Sequence, residues 1–230
     1  MGLVAHQMRD VLDRSDPPLE YAEYQRQAHT AADAVAAYHL SNGKKLVAGH
    51  FWYGKYLRLL DSDVHRMTVI REPVSRFLSH YRYLVWKFGL KSNLSEFLES
   101  DQAKHLGSIY GFYFANRYPS HSGEEDEIVE QAVRTLNAFS LIGDVKLVSE
   151  FLREARNTIG GPLICLRSNQ TPRAVQPEIA KEVTVQDQQK IEQLTSVDRR
   201  IYQEVVGLPN YVVASTNVGK PFPNGQLASA

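Results

Sequence analysis

The fold class this sequence predicts is α/β: a mostly parallel sheet with helices covering both faces. Three observations predict it. Short apolar runs of strand character alternate with longer segments of helical period between residues 44 and 206. One such run, HRMTVIREPVSRFLSHYRYL (65–84), passes from strand directly into helix. The length, 230 residues, suits one sizeable α/β domain, read as a core over 44–206 with a helical part before it (1–43) and an irregular tail after it (207–230).

In chain order, residues 3–13 read as a helix that ends at the Asp-Pro-Pro turn of 16–18. A second helix, 21–40, is rich in Ala and Gln and stops at Ser41-Asn42-Gly43. KKLVAGHFW (44–52) reads as a strand ending in a loop at Gly49-His50. The strand–helix unit of 65–88 follows, then LSEFLESDQAKHL (94–106) as a helix with a serine-capped start. Residues 108–123 are aromatic and Ser/Asn-rich without clear period, suiting a substrate-facing loop or an irregular helix. EEDEIVEQAVRTLNAF (124–139) has its acids in the first turn, where the helix dipole favours them. SLIGDV (140–145) is a strand, and KLVSEFLREARNTI (146–159) is a helix closed by Gly160-Gly161. PLICLRS (162–168) is a further strand, followed by a polar loop, and 184–206 is helical.

Composition narrows the function classes. Apolar residues make up 43% and charged residues 23%, the values of an ordinary globular protein. Lys plus Arg and Asp plus Glu are 26 each, which argues against a nucleic-acid binder relying on a bulk basic field and leaves room for a local basic pocket. The one cysteine, Cys165, sits in the apolar run PLICL and reads as structural, so a metal site would need other ligands and none is expected. No apolar run approaches the ~20 residues that span a bilayer, and the first residues lack a signal-peptide core and a myristoylation pattern. A cytoplasmic protein without a membrane partner is the expectation; oligomeric state is not readable.

The junction at 70–73 carries the chemistry. Met67, Val69 and Ile70 give strand character, and Pro73 suits the first turn of a helix because its missing N–H would be unpaired there anyway. Val74, Phe77, Leu78, Tyr81, Leu84 and Val85 then form one apolar helical face. A helix N-terminus offers N–H groups and positive dipole to an anion. Arg71 stands at that end, and Ser75 and Ser79 lie one turn apart on one side of the helix, an arrangement suited to a phosphate monoester. The bland alternative pairs Arg71 with a carboxylate such as Glu72 or Asp61 and leaves Ser79 merely packed. Arg76 reads either as a solvated residue or as a structural partner. In such sheets ligands gather beyond the carboxyl ends of the strands, where both Arg71 and His50 fall.

REPVSRFLSHY (71–81), with GHFWYG (49–54) upstream and LIGDVKLVSEFLREA (141–155) downstream, resembles the sulfotransferase family that includes the carbohydrate 2-O- and 6-O-sulfotransferases. The family block R-[DE]-P-x-x-R-x-x-S-x-Y stands here as Arg71, Glu72, Pro73, Arg76, Ser79 and Tyr81, and the Gly-His pair as Gly49-His50. The resemblance runs from about residue 44 to about 206. It implies a P-loop-NTPase-like sulfotransferase fold and a donor, 3′-phosphoadenosine 5′-phosphosulfate, whose 3′-phosphate Arg71 and Ser79 would hold. It implies that His50 is the general base on the acceptor hydroxyl, the acceptor being a carbohydrate, and that Arg167 and Arg173, in the loop from 167 to 173, close over the nucleotide, the alternative being an ordinary exposed loop. A guanidinium suits phosphate because it binds in a fork and stays charged. The aromatics Phe51, Trp52, Tyr53, Tyr110, Phe112, Tyr113 and Phe114 are either core or stacking surfaces for a sugar.

One family element is missing from the sequence as it stands: the first strand and its lysine-containing phosphate loop, which holds the 5′-phosphosulfate. Gly2 to Met8 resembles the helix that follows that loop. Losing the loop's donors predicts near-abolished transfer, since one such donor is worth roughly 10²–10³ in rate. Two readings stay open: a sequence shortened at its N-terminus, or a catalytically inactive sulfotransferase-like protein that binds a nucleotide or serves as an interaction module. Lys44, Lys45 and Lys55 are candidates to replace the lost lysine. A nucleotide kinase is a third reading, weakened by the absence of a P-loop and of a carboxylate pair for magnesium.

Overall fold

A computed structural model of the chain describes residues 21–44, 46–49, 52, 54–60, 64–117, 123–161 and 183–212. The predicted helix of 3–13 and strand of 162–168 lie outside the described residues, as do His50, Arg167 and Arg173. The elements in order are α1 (Tyr21–Ser41), α2 (Lys55–Arg58), β1 (Met67–Ile70), α3 (Pro73–Phe88), α4 (Leu94–Leu98), α5 (Asp101–Gly107), a π-helical turn (Gly111–Ala115), α6 (Glu125–Asn137), β2 (Leu141–Asp144), α7 (Val148–Ile159), α8 (Val185–Leu194) and α9 (Ser196–Val206). Among the described residues helix predominates. No described helix is long and apolar enough to cross a membrane.

The sheet is small and parallel. β1 pairs with β2 in the register Met67↔Leu141 to Ile70↔Asp144. The chain after α9 then lies along the other edge of β2. Ile142 N–H donates to Asn210 O at 2.9 Å and Val212 N–H donates to Ile142 O at 2.8 Å. The stretch from 207, read from sequence as an irregular tail, therefore begins by joining the sheet.

Side-chain alternation along β2 shows helices on both faces. Ile142 faces a core with Ile70, Ile128, Leu136, Ile201 and Val205, which α6 and α9 supply. Leu141 faces the opposite way, onto Phe151 and Ala155 of α7. Gly143 shares that second face. A Cβ there would come within 2.5 Å of the Phe151 ring, so the glycine sets how closely α7 approaches the sheet. A third core cluster joins α3 (Phe77, Tyr81, Leu84) to α4, α5 and Ile191 of α8.

The sequence reading is corrected at four places. Lys44, residues 46–49 and Trp52 form no strand. Leu46 is 63% exposed, and among the described residues no strand lies beside it to take up its backbone groups. The helix of 94–106 is two helices. Its start is capped by Asn93, which exchanges hydrogen bonds with Glu96, rather than by a serine. Ser100 then breaks it, because its hydroxyl accepts from Ala103 N–H at 3.1 Å and starts α5 afresh. The segment 184–206 divides in the same way at Thr195, a buried residue whose hydroxyl donates to Ile191 O.

Candidate functional site

The last residue of β1 leads into Arg71, Glu72 and the first turn of α3, with Pro73 at the first helical position as the sequence predicts. Glu72 is the N-cap. Its carboxylate accepts from Val74 N–H at 3.0 Å and from Ser75 N–H at 2.8 Å. Burial alone would raise its pKa, but the Ser75 and Val74 hydrogen bonds and the charge of Arg199 outweigh it and hold the carboxyl below its ordinary range. The anion position at this helix end is thus already taken by the chain's own carboxylate. A phosphate at the junction would rely on side chains.

Two arginines five residues apart have opposite surroundings. Arg76 is drawn inward: its Nη2 lies 2.9 Å from Asp198 Oδ2 and donates to Leu106 O at 2.7 Å. Its guanidinium also sits 4.3 Å from the centre of the Tyr110 ring. Asp198 is fully buried and accepts in addition from Tyr110 N–H (2.9 Å) and Gly111 N–H (3.0 Å). Burial raises the Asp198 carboxyl against the pull of Arg76 and of these N–H donors. Those two N–H groups belong to the start of the π-helical turn, so the carboxylate anchors a segment whose backbone bonding is irregular. Of the two readings of Arg76, the structural partner holds.

Arg71 is fixed by its backbone alone. Its N–H donates to Tyr110 Oη at 2.7 Å, and the same phenol donates to the Arg71 carbonyl. Among the described residues no side chain pairs with the Arg71 guanidinium or with the Ser79 hydroxyl; both residues are half-buried. The alternative in which Glu72 neutralises Arg71 is not what forms, because Glu72 turns to its own helix; Asp61 lies outside the described residues. Arg71 thus precedes the cap of α3 and Ser79 lies in its second turn, and the side-chain polar groups of both are unpartnered among the described residues. His50, the predicted base, and Arg167 and Arg173, the predicted closing residues, are among those outside the description.

The end of β2 is built differently. Asp144 is buried and accepts from Lys146 N–H (2.7 Å), Tyr202 Oη (2.6 Å) and Tyr211 Oη (3.0 Å). Burial works to raise its pKa, and the Tyr202, Lys146 and Tyr211 donors override it to hold the carboxyl low. Burial and the Asp144 partnership push Tyr202 up to about 12 and Tyr211 higher still. Phenols so shifted stay protonated at neutral pH, which fits a brace between β2, α9 and the chain at 211.

The predicted aromatic surface divides. Trp52, Tyr110 and Phe112 are core residues, whereas Tyr113 and Phe114 are half-buried. Phe112 packs 5.3 Å from the ring of His29 and 5.1 Å from that of His105. A groove of about 490 Å³ on α1, lined by Arg26, Thr30, Trp52 and Tyr56 among others, contains no residue of the strand ends. Among the described residues no group of three His, Cys, Asp or Glu side chains is placed to hold a metal ion.

Sequence reasoning missed Asp198 and Asp144. Asp198 did carry a signal, since it falls on the apolar stripe of Val197, Ile201 and Val205, where a lone acid implies a buried cation. No family model, no curated protein and no solved structure matches this chain.

Proposed function

We propose that this chain has the donor site of a sulfotransferase, an enzyme that moves a sulfuryl group from 3′-phosphoadenosine 5′-phosphosulfate to a hydroxyl on a carbohydrate; a catalytically inactive nucleotide-binding protein is the alternative, favoured by the missing phosphate loop. One observation supports the reading above the rest. At the carboxyl end of β1 the Arg71 guanidinium is unpaired among the described residues, while its backbone is clamped by Tyr110. An unneutralised guanidinium on a clamped backbone, with an unpartnered hydroxyl on the helix that follows, suits a phosphate monoester. In this reading Arg71 and Ser79 hold the 3′-phosphate of the donor. The acceptor oxygen forms a bond to sulfur as the bond from sulfur to the 5′-phosphate oxygen breaks. The hydroxyl proton passes to the base, assigned to His50, and adenosine 3′,5′-bisphosphate leaves.

Calorimetric titration with adenosine 3′,5′-bisphosphate tests the anchor. Arg71→Ala is expected to weaken binding roughly tenfold or more, as befits loss of a charge-assisted hydrogen bond of ~1.5–3 kcal/mol. Unchanged affinity in that variant, or no binding by the parent protein, sinks the assignment. Transfer of labelled sulfate to a carbohydrate hydroxyl separates an enzyme from a protein that only binds the nucleotide.

A further inference from the structure

Beyond Arg71 and Ser79, a third cation belongs to a helix that is tied to the junction from a distant part of the sequence. Arg199 lies on α9, between two residues whose side chains fix its position. On one side Asp198 bonds to Arg76 of α3 and to the backbone of Tyr110. On the other, Tyr202 donates to Asp144, which stands in register beside Ile70, the residue before Arg71. Arg199 and Tyr202 are three apart and so share a side of α9. The Asp198 and Tyr202 bonds tie this stretch of α9 to α3 and to the end of β2, the two elements that flank the junction, and the charge of Arg199 helps to hold the Glu72 carboxyl low.

Its neighbour in sequence behaves otherwise. Arg200 turns to α6, where its Nη2 lies 2.5 Å from Asp126 Oδ1. Arg199 is half-buried, and among the described residues its guanidinium has no hydrogen-bonded or ion-paired partner. Leaving a half-buried cation without a carboxylate contact costs solvation, and a visiting anion removes that cost. The charge balance points the same way. Glu72 fills the helix end and repels an incoming anion, so Arg71 alone would only cancel it. With the Asp144 charge met by Lys146 beside it, two guanidiniums against the Glu72 carboxylate leave a net positive charge facing the ligand.

We propose that Arg199 is a second cationic ligand of the anion held at the end of β1, and that it makes this site selective for a doubly charged phosphate monoester. The inference rests on the reading of Arg71 as a phosphate ligand and extends it to α9. The cradle then consists of Arg71 from the strand end, Ser79 from α3 and Arg199 from α9. Tyr110 and Asp198 hold the two arginine-bearing segments in place.

The test compares the full chain with Arg199→Gln and Arg199→Lys, using adenosine 3′,5′-bisphosphate in a calorimeter and inorganic phosphate as a stabiliser against thermal unfolding. Arg199→Gln is expected to lower nucleotide affinity roughly tenfold with an unchanged melting midpoint in ligand-free buffer. Arg199→Lys, which keeps the charge, is expected to retain most of it. If Arg199→Gln binds the nucleotide as well as the parent while Arg71→Ala does not, the role of Arg199 is overturned and that of Arg71 stands. A lysine variant as weak as the glutamine variant also overturns it, because charge is then not what matters. If the parent binds no nucleotide, the sulfotransferase reading fails and the phosphate arm decides this one. Stabilisation by phosphate that disappears in Arg199→Gln upholds the cradle, and stabilisation unaffected by the substitution overturns it.

Discussion

Arg71 and Arg76 lie in one short block of sequence, yet the fold spends one and leaves the other available. Arg76 meets a buried carboxylate, a backbone carbonyl and an aromatic face, which together occupy its charge inside the protein. Arg71 meets a phenol only through its own peptide groups, and its side chain pairs with nothing among the described residues. A guanidinium enclosed by protein partners holds helices together. One whose backbone is fixed while its charge stays unmet is prepared for a ligand. The same residue type in one motif therefore has two unlike surroundings, and the proposed phosphate role belongs to the one whose charge is unmet.

The sharpest way to break this comparison is to remove the carboxylate that defines the inner arginine. Asp198→Ala leaves Arg76 buried without its counter-ion and strips an acceptor from the N–H groups of Tyr110 and Gly111. Truncating one partner of a buried pair costs about 3–5 kcal/mol. A denaturant titration should show a loss of that size, and nucleotide affinity should fall with it if the π-helical turn moves. Arg71→Ala should leave the unfolding midpoint within about 0.5 kcal/mol, as expected for a residue that no buried network uses. Equal destabilisation by both variants would erase the distinction.

The β1–α3 junction was legible in the sequence because its determinants are local. Pro73 sits at the first helical position, the apolar residues of α3 recur with helical period, and Gly160 closes α7 in a left-handed conformation. What the sequence concealed depends on distant partners. Residues 46–49 have strand composition, but a strand needs a neighbour, and among the described residues none lies beside them. Tyr211 joins β2, and the strand-forming run it opens in the sequence, Tyr211-Val212-Val213, is too short to be read without its partner. The sequence offers Arg71 and Ser79 as the candidate phosphate ligands, and the cap formed by Glu72 changes the reason for choosing them. The helix end is not an open anion hole, and the available charge is on side chains.

Acid sharpens the comparison from the interior side. His105 is buried against Phe112, and burial first, with the charges of His29, His80 and Arg76 adding to it, lowers its pKa to about 3. The unfolded chain takes up this proton near the ordinary value of about 6.5. Stability is therefore full above that value and is lost progressively as pH falls from about 6.5 toward about 3. Asp144 and Glu72, both held low, add their own losses below the ordinary carboxylate range. Melting midpoints recorded against pH should fall across this window, and His105→Gln should flatten the part above about pH 5. A parent profile that is flat from pH 7 to 5 would count against a neutral buried histidine.

The smallest effect on nucleotide affinity is expected at the residue that joins the two arginines. Tyr110 gives its backbone N–H to Asp198 and its ring to Arg76, while its hydroxyl bonds both peptide groups of Arg71. Tyr110→Phe keeps the first two contacts and removes the third, so it tests how far the inner network positions the outer guanidinium. Loss of the hydroxyl removes both bonds and should cost about 1–3 kcal/mol of stability, as when a buried partner is left unsatisfied. Affinity for adenosine 3′,5′-bisphosphate should weaken by a few-fold, less than in Arg71→Ala, because the charge remains and only its tether is loosened. A variant that loses stability but binds at full strength would show that Arg71 needs no such tether. One that loses affinity as completely as Arg71→Ala would make the phenol, rather than the guanidinium, the determinant of the site.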